Sequence, residues 1–184
     1  LSVFLISLIE SLAIAGIIVP GVLLLFLVAT VAGHLDFAIS TILTAGFLGA
    51  VAGDGISFYL GHFFKDSIPR WWPFSRYPET LKMGERFFYK HGGKSIMLGR
   101  FIGPIRPILP LTAGMFGMPQ MRFLAFNSLS ALIWAPCYLL PGYLTGKAVD
   151  LQFPDDFLPV GLTFIFMVIF IAFLFRYFSI RLQI

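Results

Sequence analysis

The sequence predicts an all-helical protein built into a membrane: two re-entrant helical hairpins, each followed by a transmembrane helix, arranged as an inverted repeat. An interfacial amphipathic helix joins the halves, and a further transmembrane helix closes the chain. Three observations carry this expectation. Mean hydropathy is +0.90, with 58% hydrophobic and only 12% charged residues, whereas charged residues make up about a quarter of a soluble domain. Apolar runs such as 3–19 and 160–175 hold at most one ionisable residue over about the length that spans a hydrocarbon core. Two other apolar runs are interrupted by proline, which removes a backbone donor and clashes with the preceding turn.

The 184 residues read as a single membrane domain with no linker or soluble module. Its segments are a first hairpin over about 5–33, a span at 36–64, a loop with the amphipathic helix at 65–94, a second hairpin over about 95–117, and spans at 120–146 and 159–178. The chain opens on Leu1 inside an apolar run, so a preceding N-terminal segment is expected. The single cysteine, Cys137, excludes an internal disulfide and reads as packing.

In the first hairpin, Glu10–Gly33 is apolar but carries Pro20-Gly21 near its middle. Broken backbone at membrane depth is tolerated only where protein or a wet cavity covers it. The following span carries Gly46, Gly49, Gly53 and Gly61; Gly49 and Gly53 form a small-xxx-small pair that lets a second helix approach closely. Lys65, Arg70, Arg76, Lys82, Arg86, Lys90 and Lys94 then concentrate the positive charge, against Asp66, Glu79 and Glu85. By the positive-inside rule this loop faces the cytoplasm. Within it, Pro78–His91 alternates apolar and basic positions at helical spacing, as an interfacial helix does, and Trp71 and Trp72 read as headgroup anchors.

The second hairpin, Gly99–Gly117, holds Pro104, Pro107 and Pro110 beside Arg100 and Arg106. An offset that places Pro20 on Pro104 also places Ala29 on Ala113 and Val22 on Arg106. The paired proline breaks, in segments that must enter from opposite faces, suggest the inverted-repeat logic of secondary transporters.

Ionisable groups inside apolar segments are costly and default to functional or paired roles. Four stand out: Glu10, Asp54, Arg100 and Arg106. Arginine stays charged and presents a planar fork suited to phosphate oxygens, so Arg100 and Arg106 are the candidate phosphate-binding pair. They could equally neutralise Glu10 and Asp54, and the two roles are compatible. Glu10 and Asp54 are candidate sites of proton coupling or ion pairing, because burial and a neighbouring arginine move a carboxylate pKa in opposite directions. The histidines read as interfacial or capping residues. No metal site or cofactor is expected, and H-E-x-x-H, G-x-S-x-G and P-loop motifs are missing, so no enzyme is expected. The basic loop lacks the aromatic interleaving of a nucleic-acid binder; lipid headgroups are its expected partners.

The run Gly99-Arg100-Phe101-Ile102-Gly103-Pro104-Ile105-Arg106-Pro107, continuing to Pro110 and Thr112-Ala113-Gly114-Met115, resembles the signature of DedA membrane proteins, also called SNARE-associated or VTT-domain proteins. Glu10 before Pro20-Gly21, Gly53-Asp54 with Tyr59 and Gly61, and Asn127 with Trp134 match as well. The resemblance implies a multi-pass protein of the bacterial cytoplasmic membrane with two facing hairpins. It further implies transport of undecaprenyl phosphate or a related lipid, with Glu10, Arg100 and Arg106 as functional residues. Many members place an acid after the Pro-Gly pair where this chain has Val22, leaving Asp54 as the candidate substitute in proton coupling; His62 stands where an arginine often follows the glycine. The expected activity is that of a lipid-phosphate flippase, possible protons being its coupling ion; a passive phospholipid scramblase, a proton-coupled exporter and a structural membrane protein are the alternatives.

Overall fold

The computed structural model describes residues 1–15, 21–102 and 105–148. Pro20, Pro104 and the expected span at 159–178 lie outside the described residues. Seven α-helices follow in order: α1 (Ser2–Ser11), α2 (Gly21–His34), α3 (Ile39–Phe64), α4 (Pro78–His91), α5 (Lys94–Gly99), α6 (Ile108–Met115) and α7 (Gln120–Ala148), with a 3-10 turn at Ile68–Arg70. There is no strand among the described residues.

Two of these helices, α3 with 26 residues and α7 with 29, are long and apolar enough to cross a membrane. At 1.5 Å per residue each exceeds the roughly 30 Å of a hydrocarbon core. The expected spans at 36–64 and 120–146 coincide with them to within a few residues. Pro136 and Pro141 lie inside α7 without ending it, and the carbonyl of Pro141 accepts a bond from the Thr145 hydroxyl at 2.7 Å.

The expected breaks at Pro20 and Pro104 lie outside the described residues, and helices end near them at Ser11 and Gly99. Helix α1 stops at Ser11, and Leu12 is extended at φ −73°, ψ 134°, well ahead of Pro20. The loose end is satisfied from α3: the Ala13 N–H donates to Ser57 Oγ at 2.9 Å. Between α5 and α6 the chain makes short turns instead of helix, with Ile102 O accepting from Ile105 N at 3.1 Å and Arg106 N at 3.0 Å. Pro107 is the N-cap of α6, where a missing N–H costs nothing.

Glycine permits the closest helix contacts. A Cβ on Gly49 or Gly53 of α3 would run into the carbonyl oxygens of Phe4 and Leu8 on α1, so the small-xxx-small pair seats α1. Gly61 likewise lies on Leu111 O and Gly114 on Phe58 O, joining α3 to α6; Gly33 lies on Tyr143 O and Gly146 on Thr30 O, joining α2 to α7. Helices α2 and α6 therefore each pack on one of the two long helices.

The turns that lead into the long helices repeat one another bond for bond. In the first, Leu35 N, Asp36 N and Phe37 N donate to Val31 O, Gly33 O and Ala32 O at 3.0, 3.2 and 3.0 Å. In the second, Phe116 N, Gly117 N and Met118 N donate to Thr112 O, Gly114 O and Ala113 O at 3.0, 3.1 and 3.0 Å. Asp36 and Gly117 occupy the left-handed region, at φ 54° and 65°, as this helix-ending motif requires. These bonds match Ala113 with Ala32, whereas the sequence offset places it on Ala29.

Helix α4 is amphipathic, with Leu81, Gly84 and Phe87 buried and Lys82, Arg86 and Lys90 exposed. Its Gly84 lies on α6, where a Cβ would stand 2.8 Å from Ile108 Cγ2 and 3.0 Å from Thr112 Cγ2. Apolar residues at a spacing of three and four define that face. Trp72 is exposed, while Trp71 is half-buried and packs on Phe64 with ring centroids 5.4 Å apart.

Candidate functional site: a buried cluster of paired charges

All four ionisable residues singled out in the apolar segments are buried and meet in one place. Glu10 ends α1, Asp54 lies on α3, Arg100 follows α5 and Arg106 precedes α6. Their exposures are 5%, 3%, 4% and 9%. Both arginines sit in the turns between α5 and α6, outside the helices.

Arg106 Nη1 donates to Glu10 Oε1 across 96 positions of sequence, and Arg100 Nη2 donates to Asp54 Oδ2 across 46. Arg100 Nη2 also donates to Asn127 Oδ1 at 2.6 Å, and Asn127 Nδ2 reaches Val51 O at 3.4 Å. The two guanidinium groups share a floor: Arg106 Cζ lies 4.5 Å and Arg100 Cζ 5.7 Å from the ring centroid of Trp134, which is fully buried. A ring face attracts cations, and here it holds two of them side by side. Tyr138 backs the indole at 5.2 Å.

Two guanidinium charges and two carboxylates sum to zero, which is how a charge cluster is tolerated in a low-dielectric interior. Hydrogen bonding is nevertheless incomplete. Arg100 Nη1, Arg106 Nη2, Trp134 Nε1 and Glu10 Oε2 are buried without a hydrogen-bond partner among the described residues. Buried polar groups are normally paired, and this cluster leaves three donors without an acceptor among the described residues.

Gly21 opens α2 directly against this cluster, and a Cβ there would stand 2.5 Å from Glu10 Cγ. The expected break residues Gly21 and Pro107 thus border the site, while Pro20 and Pro104 lie outside the described residues. Asn127 and Trp134 were noticed in the sequence only as matches to a family signature. Asn127 carries a signal of its own, as an amide inside an apolar helix; Trp134 carries none, since a membrane-helix tryptophan reads as packing or as an anchor. Ser57 also escaped notice because its partner is a backbone group 44 positions away.

Fold and site together define a helical membrane protein whose interrupted segments gather arginines and carboxylates at a buried indole. Residues 10–144 match the family model described as the VTT domain, and the chain belongs to that family. Among its relatives, Inner membrane protein YabI of Escherichia coli (strain K12) is 36% identical over 151 residues, covering 82% of this chain and 59% of the relative. Protein DedA of the same organism is 30% identical over 164 residues, covering 86% and 74%. An uncharacterised membrane protein of Mycobacterium bovis is 34% identical over 148 residues, covering 77% and 66%. The chain thus spans less than two thirds of the length of YabI. No solved structure matches it.

Proposed function

We propose that this protein is a lipid-phosphate transporter of the bacterial cytoplasmic membrane. In this reading it moves undecaprenyl phosphate, or a related polyprenyl or phospholipid phosphate, between leaflets, and the hydrocarbon tail stays in the bilayer. The observation that carries the reading is the buried pair Arg100 and Arg106, each matched to a carboxylate yet each keeping an unpartnered N–H donor. A phosphate oxygen is the acceptor that a planar cationic fork fits best.

The neutral total of the cluster suggests how transport proceeds. A phosphate entering beside two arginines already paired with Glu10 and Asp54 competes with those carboxylates for the same donors. Protonation of Glu10 would release Arg106 to the phosphate, and loss of the proton would restore the pair and expel the lipid. The site then exchanges one anion for another without an unpaired buried charge, whose cost would be several kcal/mol.

Two facing re-entrant hairpins in an inverted repeat would give the site access to both leaflets in turn. The matched turns at Asp36 and Gly117 support that arrangement. So does the burial register: every buried position of α3 from Ile42 to Gly61 has a buried counterpart on α7 from Phe123 to Gly142. The relative named an inner membrane protein supports the location. The residues gathered at the site are anion donors and paired carboxylates, which favours carriage of a lipid over its hydrolysis.

The test is flux of a polyprenyl phosphate into proteoliposomes. Arg106→Ala and Arg100→Ala should abolish it while Arg86→Ala, on the exposed face of α4, leaves it intact. Wild-type flux through Arg106→Ala would overturn the assignment. Val22 in place of an acid after Gly21 favours a second reading, a passive scramblase. That reading requires a rate insensitive to a pH gradient and a fully active Glu10→Gln variant.

A further inference from the structure

We infer that Trp134 is a binding residue of this site, whose indole N–H supplies the third donor to a phosphate group and sets a preference for monoesters over diesters. The inference rests on the lipid-phosphate reading above and deepens it.

Three buried donors at the cluster lack partners: Arg100 Nη1, Arg106 Nη2 and Trp134 Nε1. They lie together, since the two guanidinium carbons stand 5.7 and 4.5 Å from the centroid of the indole that carries the third. A carboxylate has two oxygens to offer, and a phosphodiester has two unesterified ones. A phosphomonoester has three and carries up to twice the charge, so each of the three donors can take an oxygen of its own.

The indole does two separable things. Its face positions the arginines, a role any aromatic ring fills in part. Its N–H is a donor that phenylalanine lacks. An unpaired indole N–H in the interior costs free energy that packing alone would not retain; a leucine or phenylalanine would fill the volume at lower cost.

Trp134→Phe separates the roles, because it keeps a ring beneath the guanidinium groups and alters no charge. The experiment measures binding of dodecyl phosphate and of didodecyl phosphate to the purified full-length protein in nanodiscs. Wild type should prefer the monoester, and Trp134→Phe should weaken monoester binding about tenfold, the scale of one hydrogen bond to a charged group, with diester binding unchanged. A merely structural tryptophan would lower both together or neither, and either result overturns the inference. Wild-type protein that binds neither probe would instead sink the proposed function itself. A second measurement stands if Trp134→Phe folds poorly. In a Trp71→Phe, Trp72→Phe background Trp134 is the chain's one remaining tryptophan, and dodecyl phosphate should shift its emission where didodecyl phosphate does not. Emission unmoved by a bound monoester would overturn the inference.

Discussion

Gly21 lies so close to Glu10 that the carboxylate side chain fills the space where a β-carbon would stand: a Cβ on residue 21 would come within 2.6 Å of Glu10 Cδ. The glycine is a requirement of the neighbouring charge pair, because Glu10 must pass it to reach Arg106. Gly21→Ala should therefore displace Glu10 and reduce flux at least as far as Glu10→Gln does. Gly55→Ala, with nothing within 4 Å of its added Cβ, should keep full activity. It should also gain stability of about 0.5–1 kcal/mol from helix propensity, read as a rise in melting temperature in detergent.

The buried pair of Arg100 with Asp54 should behave as a unit. Asp54→Ala leaves a guanidinium uncompensated in the interior and should cost about 3–5 kcal/mol. The double variant Arg100→Ala with Asp54→Ala should be less destabilised than Asp54→Ala alone, though inactive. A double-mutant cycle on thermal unfolding checks this, and strict additivity of the two changes would contradict it.

Glycines that touch carbonyl oxygens across helices leave no room for a methyl group. Gly114→Ala must push α6 from Phe58 O, and Gly146→Ala must push α7 from Thr30 O. Each should lower the melting temperature by more than Gly55→Ala changes it, because here the obstacle is backbone on a packed helix.

The hairpin topology predicts sidedness. In a Cys137→Ser background, cysteines at Lys94 and Pro119, both exposed, should react with a membrane-impermeant maleimide from the cytoplasm, and a cysteine at Leu35 from outside. Opposite-side labelling of Lys94 and Pro119 would make the second hairpin a single crossing and remove the facing-hairpin arrangement.

On the exposed face of α4, the hydrogen bond and charge of Lys82 hold the Glu79 carboxyl below its usual value of 4.5. A lowered folded-state pKa gives stability that is present above the ordinary carboxylate range and is lost as pH falls through the lowered value. Lys82→Ala should return the Glu79 titration toward 4.5 in a carbon-detected NMR titration. It should leave lipid flux at neutral pH unchanged, since an exposed pair contributes little.

Composition and the spacing of charges alone pointed to a membrane protein, to long apolar helices at 36–64 and 120–146, and to Glu10, Asp54, Arg100 and Arg106 as the ionisable residues of its apolar segments. Those conclusions are legible because the cost of a charge or a proline in hydrocarbon is local and shows in any apolar run. Which carboxylate answers which arginine was not legible: partners 96 and 46 positions apart meet only once the helices have packed. Nor was the end of α1 at Ser11, because the N–H it frees at Ala13 is satisfied by Ser57 on another helix, and no signal next to Leu12 announces it. Trp134 became a floor for two cations only when α7 packed beside the turns that carry Arg100 and Arg106. An indole in an apolar helix reads as packing until tertiary structure sets charges on its face and leaves its N–H unmet.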